Sequence, residues 1–129
     1  MRVMPFVAAD DSNAALTFRE HPIDLVHLAR TTLGDASIER EMLAAFRQKT
    51  SILMLRMQQT THSSICAAAQ ALKISARSIG AWRVVSAAEA VELAAASSID
   101  QELESAVDRL GIVAEETRTA IAELLMKVT

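Results

Sequence analysis

The sequence predicts an all-α protein, an antiparallel up-down four-helix bundle with a short N-terminal helix, on three observations. Ala, Leu, Glu, Met, Arg and Gln dominate the composition, while three glycines and two prolines, both before residue 23, interrupt it. Apolar residues recur at steps of three and four along four long stretches. The breaks between those stretches span roughly two to six residues, a length that makes successive helices antiparallel neighbours.

Residues 1–20 lack helical periodicity and contain Pro5, Asp10, Asp11, Ser12 and Asn13, so they read as a flexible arm. The bundle domain is expected over residues 21–129. Pro22 opens a short helix that runs to about Leu33, with Ile23, Val26, Leu28 and Leu33 available for burial and Gly34 as its stop. Asp35 or Ser37 caps a long second helix ending near Gln59, whose stripe is Ile38, Met42, Ala45, Phe46, Lys49, Ile52, Leu53 and Arg56. The polar break Thr60 to Ser63 offers several N-caps for a third helix that reaches Ile79, with Gly80 just past its end.

A fourth helix follows from Ala81 to about Ala96. Ser98 with Gln101 reads as a capping box for the last helix, which carries Leu103, Val107, Leu110, Ala114, Thr117, Ile121 and Leu124. Gly111, inside that helix, marks either a slight kink, a tight helix contact or a tolerated surface glycine.

Charge and composition exclude several classes of function. The formal charge is −3 and no cluster of Lys and Arg occurs, which argues against a nucleic-acid partner. No run approaches the 18 or so consecutive apolar residues of a membrane span, and Asp10 and Asp11 interrupt the N-terminal stretch before a signal-peptide core forms. Cys66 is the only cysteine, so neither an internal disulfide nor a paired-cysteine zinc site is expected, and packing is its expected role. A cytoplasmic protein without membrane contact, metal or cofactor is the expectation. There is no Gly-rich phosphate loop, nucleophile elbow or His-Glu-x-x-His pattern, so the chain is not read as an enzyme; Glu115 and Glu116 read as helix surface.

The third helix carries the functional expectation. At about 100° per residue, Ile65, Ala68, Ala69, Leu72, Ala76 and Ile79 fall within roughly 60° of Leu72 and face the core. Ser63, Ala67, Gln70, Ile74 and Arg77 fall opposite, with Lys73 at the flank, so Gln70 points to where a partner can reach it. Of the histidines, His62 lies about 80° around the axis from Gln70. His21 and His27 are expected at the surface of the first helix, His27 sharing a face with Asp24.

The segment from Ala68 to Trp82, Ala-Ala-Gln-Ala-Leu-Lys-Ile-Ser-Ala-Arg-Ser-Ile-Gly-Ala-Trp, resembles the signature of histidine-containing phosphotransfer (HPt) domains, His-x-x-Lys-Gly followed by Ser and small residues. Upstream, Ile23 to Leu28, Thr32 to Asp35 and Glu39 to Phe46 are similar to the opening of such domains in bacteria. Downstream, Ala87 to Ala90 with Glu92 resembles their following alanine-rich helix. Two positions depart from the pattern: Gln70 stands in place of the phosphorylated histidine, and Ile74 in place of the glycine after the lysine.

The resemblance implies a phosphorelay protein of a bacterial two-component signal transduction system whose partner is a response-regulator receiver domain or a histidine kinase. It implies Lys73 and Arg77 as the cations beside the phosphoryl site. Glutamine lacks the nucleophilic lone pair of imidazole, because its amide nitrogen is delocalised into the carbonyl, so Gln70 is not a phosphoryl acceptor. The expected partner-binding residues are Ala67, Gln70, Lys73, Ile74 and Arg77, with no catalytic residue. Two alternatives stand beside this degenerate, binding-only reading: phosphotransfer through a different histidine, and a structural or ligand-binding bundle derived from the family.

Overall fold

The computed structural model describes residues 21–58, 61–97 and 99–128. The expected arm at residues 1–20 and the capping box built on Ser98 lie outside them. Five helices follow one another: α1 (Leu25–Thr32), α2 (Ala36–Met57), α3 (His62–Ile79), α4 (Trp82–Ser97) and α5 (Asp100–Val128). The described residues include no strand.

Local chemistry sets the helix ends. Asp24 caps α1 by accepting from the His27 amide, Asp35 caps α2 by accepting from Ser37 and Ile38, and Thr61 caps α3 by accepting from Ser64. Gly80 ends α3 in the left-handed conformation at φ 76°. The first helix stops one residue before the glycine that the sequence nominates, because Leu33 itself takes up the left-handed cap at φ 56° and Gly34 follows at φ 76°. Between α4 and α5, Ser97 Oγ donates to Ala94 O at 2.8 Å and accepts from the Ile99 amide at 3.4 Å.

The long helices pack as a ring, α2 on α3, α3 on α4, α4 on α5 and α5 on α2, while α1 packs on α2 and α3. Leu72, Ile79, Val84, Val91, Leu110 and Ile121 form the centre of the core, each 0 to 2 % exposed. Among the described residues the buried polar side chains are Thr32, Thr50 and Thr117. Each hydroxyl donates back to its own helix, to Leu28 O, Phe46 O and Val113 O respectively, so no buried hydroxyl is left unsatisfied.

In α1 and α2 the expected burial requires correction, and the alternatives for Gly111 narrow. In α1, Ile23 and Leu28 are buried but Val26 is exposed and Leu33 is 93 % exposed, because the short helix presents one side to the bundle. In α2 the buried stripe is Leu43, Phe46, Thr50, Leu53 and Met57, rotated roughly 80° from the expected one. Both stripes share Phe46 and Leu53, so periodicity alone did not choose between them. Gly111 makes no tight contact: a Cβ there would meet only Met54 Cε at 3.6 Å.

The sharpest packing constraint lies where α1, α3 and α4 meet. The Asp24 amide donates to Gly80 O at 2.9 Å, and Trp82 Nε1 donates to Asp24 Oδ2 at 2.9 Å. His27, expected at the surface, is half-buried; its Nε2 donates to Arg77 O at 2.8 Å and its ring stands edge-on to Trp82 at 4.9 Å. A Cβ on Gly80 would lie 2.8 Å from Asp24 Cβ and 3.0 Å from Asp24 O, so this crossing admits only glycine. The indole hydrogen bond first, then the His27 amide, holds the Asp24 carboxyl below the usual aspartate value against the opposing effect of burial.

Substitutions at this crossing and at Gly111 have opposite expected effects. Gly80→Ala combines the overlap with Asp24 and an unfavourable positive φ, and is expected to cost at least about 2 kcal/mol in urea unfolding. Gly111→Ala, with open space and helical geometry, is expected to gain about 1 kcal/mol. Because the folded-state pKa of Asp24 is lowered, its stabilisation is present above the unfolded aspartate pKa and is lost as the pH falls through the folded value. Asp24→Ala is therefore expected to cost about 1–2 kcal/mol at pH 7, chiefly as a lost N-cap. The difference between parent and variant should shrink as the pH is taken well below 4, measured by denaturant titrations at each pH.

Candidate functional site: the outward face of the third helix

The caps at Thr61 and Gly80 and the buried row Ile65, Ala68, Ala69, Leu72, Ala76 and Ile79 fix the rotation of α3. That row is the one expected from helical phase. Ala67, Gln70, Ile74 and Arg77 accordingly lie on the exposed side, and Lys73 is half-buried at its flank. Four of these residues thus form one outward face, and the fifth borders it.

Each side chain on this face has a distinct environment. Ile74 is 59 % exposed one turn after Gln70, and Ser78 Oγ donates to its carbonyl at 3.3 Å. Gln70 is exposed, and its carboxamide makes no hydrogen bond within the described residues. Lys73 Nζ lies 2.7 Å from Glu92 Oε1 on α4, with side-chain exposures of 17 and 21 %. Arg77 lies 3.5 Å from Glu89 Oε2 in a more exposed and longer pair. Both cations expected to face a partner's acidic pocket are thus already matched by carboxylates from α4.

On the α4 side the face runs into a groove of about 480 Å³ lined by His62, Ser63, Cys66, Ala67, Gln70, Ala95 and Ala96. His62 and Gln70, although apart in angle, are brought to one groove by their two-turn separation along α3. His62 Nε2 is 3.0 Å from Asp100 Oδ1 at the start of α5. Cys66, half-buried, belongs to the same groove lining. Within the described residues, no three His, Cys, Asp or Glu side chains converge to hold a metal ion, and no helix is long and apolar enough to cross a membrane.

Sequence reasoning missed the groove wall of Ala95 and Ala96 and the two ion-pair partners Glu89 and Glu92 as partners. Their positions three apart on α4 were visible, but the register of α4 against α3 was not. Chemically, the face offers an uncharged amide, a branched apolar group and two cations matched by carboxylates. No protein-family model matches the chain, and neither a curated protein nor a solved structure matches it.

The two ion pairs should differ in strength. Lys73 and Glu92 are short and largely shielded from solvent, so a double-mutant cycle with Lys73→Ala and Glu92→Ala is expected to give a coupling of about 1 kcal/mol. The same cycle on Arg77 and Glu89 is expected to give less than about 0.5 kcal/mol. Equal couplings in 0.1 M and 1 M salt for the first pair, with loss of the second, would fit this difference in shielding.

Proposed function

We propose that this chain is an HPt-like protein of a bacterial two-component phosphorelay. It binds a response-regulator receiver domain or a histidine kinase through the outward face of α3 and does not accept phosphate at Gln70. The observation that carries the reading is the exposure of Gln70, with no polar partner among the described residues, beside the exposed Ile74 on a helix whose opposite side is locked into the core. In this proposal the long helices run up and down as antiparallel neighbours, and the protein works in the cytoplasm without metal or cofactor.

The chemistry of the face supports binding over transfer. A phosphoryl acceptor presents a nucleophilic lone pair in line with the donor phosphate, and the Gln70 amide has none to offer. It does imitate a neutral imidazole in reach and in hydrogen bonding. The apolar area of Ile74 and Ala67 supplies contact where a small residue would leave access. With Lys73 and Arg77 matched by Glu92 and Glu89, attraction to an acidic partner comes from the remainder after internal pairing, so affinity is modest and rests on the apolar centre.

Chemistry and binding are tested separately. Incubated with a phosphorylated kinase and receiver pair, the parent protein is expected to take up no acid-labile phosphate. Gln70→His alone should restore little, and Gln70→His with Ile74→Gly clearly more, since a misplacement of about 1 Å costs on the order of 100-fold in rate. If the single change equals the double, Ile74 does not obstruct the approach. Label on His62 in the parent would instead favour transfer through another histidine.

For binding, titration calorimetry against receiver domains should show Ile74→Asp weakening the best complex by about 2 kcal/mol. Lys73→Ala, which uncovers Glu92 toward the partner, should chiefly slow association and alter its salt dependence. Unchanged affinity of Ile74→Asp for the best partner would remove α3 as the interface.

A further inference from the structure

Helix α2 carries a row of residues that the bundle leaves uncovered. Ile38, Met42, Ala45, Lys49, Ile52 and Arg56 recur at alternating steps of four and three, the spacing by which one helix packs along another. All but the half-buried Met42 are exposed, Ile38 at 44 % and Ile52 at 49 %. The row borders a groove of about 410 Å³ whose opposite wall, on α3, includes Ser75 and Ser78, small side chains that leave room for a further helix.

The charges beside this row are divided along the helix. Asp35 and Glu41 lie toward its start, Lys49 and Arg56 toward its end. Glu41 and Arg56 fall about 40° and 20° around the axis from Ala45. Both are exposed, and neither makes an ion pair among the described residues. Lys49 Nζ donates to Ser75 Oγ at 3.2 Å and likewise has no carboxylate partner among them. The row is also symmetric about residue 47. Two copies of α2 set antiparallel across a two-fold axis at that level bring Met42 opposite Ile52, Ala45 opposite Lys49 and Ile38 opposite Arg56 of the other copy. Arg56 then arrives with Glu41 and Asp35 each about 4.5 Å along the axis, and the small Ala45 leaves room for the Lys49 stem. Parallel copies would set Lys49 on Lys49 and Arg56 on Arg56, a costly juxtaposition of like charges. A partner of one charge sign would match half of the row, whereas a second copy turned end for end matches both halves.

We propose that the chain forms a two-fold dimer through this face of α2, the two helices antiparallel, with Ile52 of each copy against Met42 of the other and Arg56 of each against Glu41. The inference does not depend on the phosphorelay reading.

The test is sedimentation equilibrium of the full-length protein over a dilution series. The mass should rise from 14.0 kDa toward twice that value as the concentration approaches about 0.5 mM, as a small interface of about micromolar affinity requires. Each substitution enters a two-fold interface twice. Ile52→Asp should therefore weaken dimerisation at least about 100-fold while leaving the far-UV spectrum of the monomer unchanged. Glu41→Arg and Arg56→Glu should each weaken it about tenfold. An equimolar mixture of those two variant chains should recover the parent affinity, because both contacts across the mixed pair then join opposite charges. A parent chain that stays monomeric throughout overturns the proposal. So does a dimer that survives Ile52→Asp and the charge reversals, which would place the interface elsewhere. A mixture that associates no more tightly than its components rules out the antiparallel register and with it the proposal.

Discussion

The approach of Asp24 to Gly80 is the constraint on which the arrangement around α3 depends. One short distance between two backbones, closed by the amide-to-carbonyl bond, joins the start of α1 to the end of α3. The same aspartate caps α1 and accepts from Trp82 at the start of α4, while His27 takes up the carbonyl of Arg77. The Arg77 carbonyl, which also accepts from the Gly80 amide at the end of α3, thus gains a second donor from another helix. Three helix ends are held by a handful of polar contacts, among them the Asp24 amide on Gly80 O and the Asp24 carboxyl on the His27 amide.

With its end held there and its small residues buried, α3 has little rotational freedom. Alanines at 68, 69 and 76 let neighbouring helices come close, and Leu72 and Ile79 fill the space between them. Rotation of α3 by one residue would bring Lys73 toward the core and expose Leu72, exchanging a satisfied ion pair for a buried charge. The outward position of Gln70 and Ile74 is a consequence of this core, so the candidate face and the stability of the bundle have the same origin. The pairing of Lys73 with Glu92 belongs to both: it shields a charge at the boundary of the core and sets how much charge the face presents.

The legibility of the sequence varied from helix to helix for physical reasons. In α3 the apolar residues are confined to one side by Gln70, Lys73, Arg77 and the serines, so phase had a single solution and all six core positions were readable. In α2 apolar residues occupy two overlapping stripes, and the choice between Ile38 with Ile52 and Leu43 with Met57 rests on how α3 and α5 enclose the helix. In α1, Val26 and Leu33 looked as suitable for burial as Ile23 and Leu28, but an eight-residue helix on the edge of a bundle covers one side only. The local caps at Asp35 and Gly80 were legible because each acts through its own neighbours in the chain.

By itself the sequence determined the helical class, the places where helices break and the outward phase of Ala67, Gln70, Ile74 and Arg77, since all of these follow from interactions between residues a few positions apart. Only the tertiary structure decided that Gly80 must admit Asp24, that His27 turns inward to Arg77, that Lys73 and Arg77 are matched by Glu92 and Glu89, and that the second stripe of α2 lines a groove. Each of those joins residues from different helices, whose register is set by how whole side-chain surfaces fit together, and no spacing along the chain encodes that fit.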